Sequence, residues 1–355
     1  MHQGGGAGQG RVSRVTLQDV ADRAGVSITT ASRVVNDGKR GVGAELVRRV
    51  QRAAAELGYT ANLQARAVAT GRSSMVGIVV HDVADPYFSS IAAGLIETAS
   101  RERLLVCMSA ASANEAAERE YVSLMRAQRA RAVVLVGSRT DDAAGRAALA
   151  AEVAAFAGQG GRAVCVGQPL LGVDAVVPEN TAGADALARA LAALGHRRFA
   201  VLAGPRSSIT VQDRIEGFRA GLAAWSIGLE PAGIVHAAFT RDGGYAAMSA
   251  ILASGGELPD CVFAVNDVMA VGALARLRAA GISVPGDVAV AGFDDILTLR
   301  DVTPPLTTVR LPLTRMGEMA ASMVLTDGEP GRPRIVPVPG EVIMRESTLP
   351  RGPRG

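Results

Sequence analysis

The sequence has few cysteines, few aromatic residues and no long apolar run. Its three cysteines, Cys107, Cys165 and Cys261, each lie in a short apolar segment and are too scattered for a disulfide framework or a zinc site, so we expect reduced core thiols. Seven Phe, four Tyr and one Trp are too few for the stacked aromatic surface that binds single-stranded nucleic acid. No apolar run reaches the roughly 18 residues that a membrane-spanning helix needs, which predicts no membrane association.

Signals of catalysis and metal binding are scarce as well. The four histidines are isolated from one another, and the sequence lacks the nucleophile elbow GxSxG, the zinc helix HExxH and the phosphate loop GxxxxGK[ST]. We therefore predict that the chain is not an enzyme and uses no cofactor or metal ion. The glycine-rich start, residues 1–14, contains no long apolar run and predicts a flexible tail rather than a signal peptide, so we expect a cytoplasmic protein.

The sequence does contain a small basic segment followed by a long apolar body. Hydrophobic residues make up 48% of the 355 residues, enough for two or three folded domains. Residues 11–72 hold eleven Lys or Arg against five Asp or Glu, whereas the rest of the chain holds 26 basic and 29 acidic residues. A basic head on a slightly acidic body predicts that the head binds a polyanion.

The basic segment has the pattern of a helix-turn-helix module. Apolar residues at helical spacing follow a capping Thr16, and Gly25 ends the first helix. Ser27 caps a second helix after a three-residue turn, and a third helix spans roughly residues 44–57. Three short helices with the first two joined by a tight turn are typical of DNA-binding heads.

The second helix carries the side chains suited to DNA. Thr29 and Arg33 lie four residues apart and share one face, from which an arginine can bond the O6 and N7 atoms of guanine. Short hydrogen-bonding side chains on the same helix suit phosphate oxygens: Ser27, Thr30, Ser32 and Asn36.

From Met75 onward, apolar strand-like runs alternate with alanine-rich amphipathic stretches. The runs are VGIVV, LLVCM, AVVLV, AVCV, FAVLAG, CVFAV and VAVAG. Continuous apolar strands separated by helices indicate parallel sheets covered on both faces. This predicts an α/β core of two doubly wound parallel-sheet lobes behind the all-α head.

A series of segments covers nearly all of residues 15–345: TLQDVADRAGVSITTASRVVN, LGYTANLQARAVATGRSSMVGIVV, DPYFSSIAAGL, GHRRFAVLAG, DRIEGF, VNDVMAVGAL, VAVAGFDD and PPLTTVRLP. In content and order, these segments resemble the lactose-repressor (LacI/GalR) family of bacterial transcription factors. The resemblance implies a homodimer with a helix-turn-helix head, a hinge helix and a two-lobed core like that of periplasmic sugar-binding proteins. It also implies a ligand-responsive regulator, usually a repressor, that binds a pseudo-palindromic double-stranded DNA operator.

The resemblance assigns roles in DNA binding to particular residues. It implies base reading by Ile28, Thr29 and Arg33, with Ile28 making an apolar contact. It implies phosphate contacts by Thr16, Ser27, Thr30, Ser32, Asn36, Tyr59 and Asn62. The hinge leucine that wedges into the minor groove is Val68 here, and the proline that usually precedes the hinge asparagine is Ala61.

The resemblance also implies an effector bound between the lobes. The implied contacts are Tyr87, Phe88, Arg214, Phe239, Asn266 and Asp294. Polar groups beside aromatic walls suit a polyhydroxylated ligand, so we expect a sugar or sugar derivative. Simpler interpretations remain open: Asp294 and Asp295 as turn caps, Phe88 as a core residue and Arg214 as a surface ion pair. Gln168 stands where sugar-binding members often have an acidic group, which predicts a ligand other than an ordinary hexose.

We expect the chain to divide into five segments. They are a tail (1–14), the helix-turn-helix domain (15–61), the hinge helix and linker (62–73), a core (74–346) that crosses between lobes near 177, 309 and 331, and a tail (347–355). Two other classes share parts of the pattern. A solute-binding protein of a transport system has the same core without the basic head, and an enzyme on a doubly wound fold needs a catalytic set.

Overall fold

A computed structural model describes residues 15–37, 42–60, 73–326 and 332–350. The chain divides between Ser73 and Ser74 into two compact units. None of the helices within the described ranges is both long enough and apolar enough to cross a membrane.

Within residues 15–37 and 42–60, the first unit, the head, contains three short helices. They are α1 (Leu17–Ala24), α2 (Ile28–Ser32), which a π-helical turn at Arg33–Asp37 continues, and α3 (Ala44–Glu56). Thr16 and Asp19 form a reciprocal capping box, in which Asp19 N donates to Thr16 Oγ1 (3.3 Å) and Thr16 N donates to Asp19 Oδ2 (2.7 Å). Gly25 ends α1 at φ 63°, a left-handed conformation that glycine adopts without strain.

The three helices of the head share one small apolar core. Its buried members are Val20, Ala21, Ala24, Ala31, Val34, Val47, Val50 and Ala53. Arg49 of α3 donates through Nη2 to the carbonyl oxygens of Ala24 (2.7 Å) and Gly25 (3.0 Å), which fixes the turn between α1 and α2. This packing buries one side of α2 and leaves the other side open.

The second unit has two lobes, and the first is built on a six-stranded parallel sheet. Its strands are β1 (Met75–Val80), β2 (Leu105–Ala110), β3 (Ala132–Val136), β4 (Arg162–Val166), β5 (Asp174–Pro178) and β11 (Ile335–Val338), in the order β11-β5-β4-β3-β1-β2. Its helices are α4 (Pro86–Arg101), α5 (Glu115–Ala127), α6 (Ala143–Gly158) and α11 (Leu313–Leu325). The central strands β1 and β3 are buried almost throughout, as expected for parallel strands between two layers of helices.

The second lobe repeats this architecture on a smaller scale. Its parallel strands are β6 (Phe199–Ala203), β7 (Ile234–His236), β8 (Cys261–Ala264) and β9 (Ala289–Ala291), in the order β7-β6-β8-β9. Its helices are α7 (Asn180–Ala193), α8 (Ile209–Ala223), α9 (Arg241–Ala253) and α10 (Asp267–Ala279). The rings of Phe218 and Phe263 stack in its core with centroids 4.5 Å apart. The predicted doubly wound fold class is therefore confirmed.

Along the described part of the core, three crossover segments connect the lobes. The chain crosses after β5, again after β10 (Thr308–Arg310), and finally between β11 and β12 (Glu341–Ile343), and β10 pairs antiparallel with β12. The last crossing comes later than the position near residue 331 that the sequence predicted. The reason is that β11 still belongs to the first sheet, where Ile335 pairs with Ala175.

Two further expectations differ from the structure. Cys107 is exposed because β2 is an edge strand, although Cys165 and Cys261 are buried as expected. Ser347, assigned by sequence to the C-terminal tail, is buried in the smaller lobe, where its Oγ donates to the Val290 carbonyl oxygen (2.7 Å). The core therefore extends past residue 346.

Helices of the core approach one another through glycine. A Cβ added to Gly217 of α8 would lie 2.1 Å from the carbonyl oxygen of Thr181 in α7. A Cβ on Gly94 of α4 would similarly lie 2.0 Å from the Thr314 carbonyl oxygen in α11. Both distances are far below van der Waals contact, so these helices pack backbone against backbone.

Candidate DNA-reading helix and interlobe cleft

The open side of α2 carries the residues predicted to read bases. Ile28 is 47% exposed, and Thr29 and Arg33 are exposed too, whereas Ala31 and Val34 are buried in the head core. An apolar side chain, a hydroxyl and a guanidinium therefore lie outside that core on one short helical segment. Such a set can contact a thymine methyl group and the hydrogen-bonding edge of guanine in the major groove.

Several hydroxyls predicted to contact phosphates already have partners inside the head. Ser27 Oγ accepts from Thr30 N (3.2 Å) and lies 2.9 Å from the Thr30 hydroxyl. Thr16 Oγ1 donates to Asp19 Oδ2 (2.8 Å). These bonds hold the starts of α1 and α2 in shape, and a hydroxyl oxygen can still accept or donate a further bond because it has two lone pairs and one hydrogen.

The other predicted DNA contacts differ in their surroundings. Ser32 is half-buried, and Tyr59 packs against the apolar core of the head. Asn62, Val68 and the side chain of Asn36 lie outside the described residues.

At the carboxyl ends of the strands of the smaller lobe, where the effector cleft is predicted, the structure brings Arg214 and Asp294 together. Arg214 lies on α8 and Asp294 follows β9, and both are buried. Arg214 donates from Nη2 to Asp294 Oδ1 (2.8 Å), from Nε to Asn180 Oδ1 (2.9 Å) and from Nη1 to the Val265 carbonyl oxygen (2.6 Å). Its guanidinium carbon lies 3.7 Å from the centroid of the Phe293 ring, a cation–π contact. Arg214 therefore forms a buried ion pair and not a surface one.

Burial raises the pKa of the acidic groups around this arginine. It raises the pKa of Asp294 to about 6, even though the charge of Arg214 and its hydrogen bond act in the opposite direction. Burial also raises the pKa of Asp85, which caps α4, while the charge of Arg214 lowers it. Burial and the charge of Asp294 raise the pKa of Tyr87. Groups of both lobes thus share one electrostatic environment.

The remaining predicted effector residues are positioned by their own lobes. Tyr87 and Phe88, at the start of α4, pack edge to face with ring centroids 5.1 Å apart, and both are half-buried against the apolar core. Phe239 lies against Gly204, where an added Cβ would be 2.3 Å from its ring. Asn266 is buried and caps α10, since its Oδ1 accepts from Met269 N (3.0 Å). Direct side-chain contacts within the predicted set thus join Arg214 to Asp294 and Tyr87 to Phe88.

A second buried ion pair lies in the first lobe beside Phe88. Arg139 is 1% exposed and donates from both Nη atoms to Glu118, with 3.0 Å between Nη2 and Oε1. His81 Nε2 lies 3.0 Å from the same Oε1, and the His81 ring is 5.5 Å from the Phe88 ring. Burial raises the pKa of Glu118, but the hydrogen bond to His81 and the charge of Arg139 lower it more, so the net shift is downward. The carboxylate is therefore charged at neutral pH.

Gln168 connects the two lobes directly. Its Oε1 accepts from Arg139 N (2.9 Å), and its Nε2 donates to Thr210 Oγ1 (3.0 Å) at the start of α8. Nearby, the hydroxyls of Ser138 and Ser208 are 2.9 Å apart across the same boundary. Gln168, which predicts a ligand other than an ordinary hexose, thus also forms hydrogen bonds to both lobes.

Sequence reasoning missed Asn180, Glu118 and Arg139. The available signal for Asn180 was an asparagine two residues after the end of a strand, at the first crossover. Glu118 and Arg139 have no local signature because their partners come from separate elements. In the described part of the chain, no group of three or more His, Cys, Asp or Glu could hold a metal ion. The cleft offers hydrogen bonds and ring faces, which suits binding.

Two family models match the chain. Residues 16–62 match the bacterial regulatory proteins of the lacI family, and residues 188–348 match the periplasmic binding protein-like domain. The first match contains all three helices of the head, and the second covers most of the smaller lobe together with α11 and β11 of the larger lobe.

Known relatives match along nearly the whole chain. The HTH-type transcriptional regulator GalR of Escherichia coli (strain K12) is 31% identical over 338 residues, 94% of this chain and 95% of that protein. A complex of the transcriptional regulator CelR with cellobiose is 29% identical with a TM-score of 0.67, covering 94% of this chain and 100% of that chain. The lac repressor dimer bound to operator and the anti-inducer ONPF is 27% identical with a TM-score of 0.79, covering 95% and 100%. The chain therefore belongs to the lacI family of bacterial regulatory proteins and is a ligand-responsive, DNA-binding transcriptional regulator, not an enzyme.

Proposed function

We propose that this regulator is a repressor that reads a pseudo-palindromic operator through Ile28, Thr29 and Arg33. The observation that carries the proposal is the exposed side of α2, since its three side chains lie outside a core that fixes the helix. The excess of basic over acidic residues in residues 11–72 attracts the phosphates of DNA. Thr16, Ser27, Thr30, Ser32, Asn36, Tyr59 and Asn62 contact phosphates in this proposal, and Val68 enters the minor groove.

We infer that two copies associate through the edge strand β2 of the first lobe. Leu105 is 64% exposed and Met108 is 38% exposed, and Cys107 between them is exposed as well. An exposed apolar edge strand invites pairing unless something covers it, and a second copy of the chain supplies the matching surface. The lac repressor relative is a dimer on its operator, which agrees with this inference. Leu105→Arg should yield a monomer in sedimentation and weaken operator binding.

The effector in this proposal is a saccharide or saccharide derivative held between the lobes. Arg214, Asp294 and Asn266 supply polar groups for hydroxyls, and the rings of Tyr87, Phe88 and Phe239 supply apolar faces. The complex of the relative CelR with cellobiose supports this ligand class. Because Gln168 carries no charge where an acidic group is common, we propose a ligand other than an ordinary hexose.

The proposed organisation follows from these roles. Residues 15–61 form the DNA-binding head, residues 62–73 form the hinge helix and linker, and residues 74–348 form the effector-binding core. A regulator of this kind acts at the chromosome, so we propose that it works in the cytoplasm.

The test is a selection from random duplex DNA with the full-length protein at about 150 mM salt, where non-specific phosphate binding is weakened. We expect enrichment of an inverted repeat with a central pyrimidine–purine step, which kinks easily. The selected duplex then serves for a screen of saccharides that change its affinity for the protein. If sequences without symmetry emerge, or none is enriched even in the presence of a metabolite extract, the proposed operator reading is wrong.

A further inference from the structure

Two consecutive aspartates after β9, Asp294 and Asp295, direct their side chains to different parts of the core. Asp294 pairs with Arg214 in the cleft (2.8 Å). Asp295 accepts from Arg310 Nε at 2.7 Å and from Arg345 Nη2 at 2.7 Å. The turn that contains both aspartates thus connects Arg214 on one side to Arg310 and Arg345 on the other.

Those arginines lie at the crossover segments. Arg310 ends β10, from which the chain passes to the first lobe, and Arg345 follows β12, which begins after the last crossover. Arg345 also donates from Nη1 to the Leu306 carbonyl oxygen (2.8 Å) and from its backbone N to Thr307 Oγ1 (2.8 Å). Asp295 therefore holds the two returning crossovers to the turn.

The remaining crossover meets the same cluster from the cleft side. Asn180, the first residue of α7 after the first crossover, accepts from Arg214 Nε. Arg214, Asp294 and Asp295 thereby connect all three crossovers through side-chain bonds. Because lobes can rotate only by changing backbone angles at the crossovers, any change of lobe orientation acts on these bonds.

The backbone of the turn is strained and tightly held. Asp294 and Asp295 have φ angles of 118° and 55°, both in the region that favours glycine. Asp294 N donates to the Val309 carbonyl oxygen (2.8 Å), and Leu311 N donates to the Asp294 carbonyl oxygen (3.3 Å). Strained residues persist only where their surroundings hold them, and they cluster at ligand-binding sites and switch regions.

A third acidic side chain, that of Asp267, holds the turn to β10. Asp267 is fully buried, accepting from Thr308 Oγ1 (2.7 Å) in β10 and from Ile296 N (3.0 Å) beyond the turn. The turn and β10 thus form one bonded unit. A displacement of Asp294 by a ligand is therefore passed to β10 instead of being absorbed by a flexible loop.

We propose that Asp295 is a positioning residue that transmits ligand occupancy at the Arg214–Asp294 pair to the crossovers through Arg310 and Arg345. The inference rests on the proposed function, in which the cleft holds the effector. A ligand that forms hydrogen bonds with Arg214 or Asp294 weakens the bond between these two side chains and moves the turn. Asp295, in the same turn, then moves Arg310 and Arg345 at the crossovers that set lobe orientation.

The test is a double-mutant cycle on the full-length chain that needs neither effector nor operator. Arg214→Lys perturbs the cleft but keeps the positive charge. Asp295→Asn removes the carboxylate that bonds to Arg310 and Arg345, and asparagine tolerates the left-handed backbone at this position. Hydrogen exchange is followed in peptides covering residues 306–311 and 341–346. We expect each single variant to speed exchange in these peptides by about 10-fold. The exchange rate of the double variant should be at most about 2-fold above that of either single variant, because the effects of coupled sites do not add.

The matched control is Asp260→Asn, at the opposite end of the strands of the same lobe. Asp260 also accepts from arginines, at 3.0 Å from the Arg197 and Arg198 backbone nitrogens. We expect it to lower global stability in urea without selectively speeding exchange in the two peptides. If Arg214→Lys does not fold, Asn180→Ala replaces it, since that change removes the acceptor of Arg214 Nε.

Two results would overturn the proposal. One is normal exchange at both peptides in the cleft variant, and the other is a double variant whose exchange equals the product of the single effects. Neither result bears on operator reading, which the DNA selection decides separately.

Discussion

The sharpest stability prediction concerns Gly217, where α8 meets α7. In Gly217→Ala, the new Cβ would lie 2.1 Å from the Thr181 carbonyl oxygen, 2.8 Å from its carbon and 2.9 Å from its Cα. All three atoms are backbone, so relief requires the two helices to separate by about 1 Å. Overpacking of this kind typically costs about 1–3 kcal/mol. Since no flexible side chain can yield, we expect about 3 kcal/mol, reduced to about 2 kcal/mol by the better helix propensity of alanine.

The assay is urea unfolding followed by circular dichroism, with Gly158→Ala as the matched control. Gly158 ends α6 with nothing within 4 Å of the added Cβ, so alanine there should raise the free energy of unfolding by about 0.5 kcal/mol. The same Gly→Ala change is thus expected to lower the free energy of unfolding at position 217 and to raise it at position 158. Equal midpoints for the two variants, or a more stable Gly217→Ala, would refute the backbone-contact argument.

Three further predictions address the charge network and the head. Glu118→Gln should lower the free energy of unfolding by about 3–5 kcal/mol at pH 7, because it leaves Arg139 buried without its counter-charge. The pKa of Glu118 in the folded state lies below its ordinary 4.5. The difference in free energy of unfolding between wild type and Glu118→Gln is therefore fully present above pH 4.5 and should shrink as the pH falls below it. A difference that does not depend on pH would contradict this prediction. Thr16→Ala removes the capping box of α1 and should lower the unfolding free energy of the head by about 1 kcal/mol in thermal unfolding. Arg33→Ala should weaken binding to the selected operator by about 1–3 kcal/mol and relax the preference at one base pair, whereas Arg101→Ala, an exposed arginine of the core, should change neither in a competition assay.

Local signals were sufficient to predict the head and the alternation of strands and helices. Caps at Thr16 and Ser27 and a left-handed glycine at position 25 are read from neighbouring residues, and the structure has all three. Apolar periodicity predicted parallel strands under helices for the same reason, since each strand carries its own signal.

Features that depend on distant partners could not be predicted in this way. The third crossover was misjudged because β11 pairs with a strand about 160 residues earlier, and the exposure of Cys107 depends on β2 being an edge. Arg214 was found by family resemblance, yet its partners Asn180 and Asp294 lie 34 and 80 residues away. Sequence patterns predict which groups are polar, while the fold decides which of them meet.

The interleaving of the lobes along the chain has a consequence for synthesis. The larger lobe receives α11 and β11 only after strands β6 to β9 of the smaller lobe have been translated. The smaller lobe is itself not complete until Ser347, later in the chain, bonds to the Val290 carbonyl oxygen in β9. The described helices of the head, by contrast, all lie within the first 60 residues. A nascent chain can therefore fold its DNA-reading helices long before it can respond to a ligand. Premature termination after α10 should therefore release a polypeptide that has the helices of the head but an incomplete ligand-binding core.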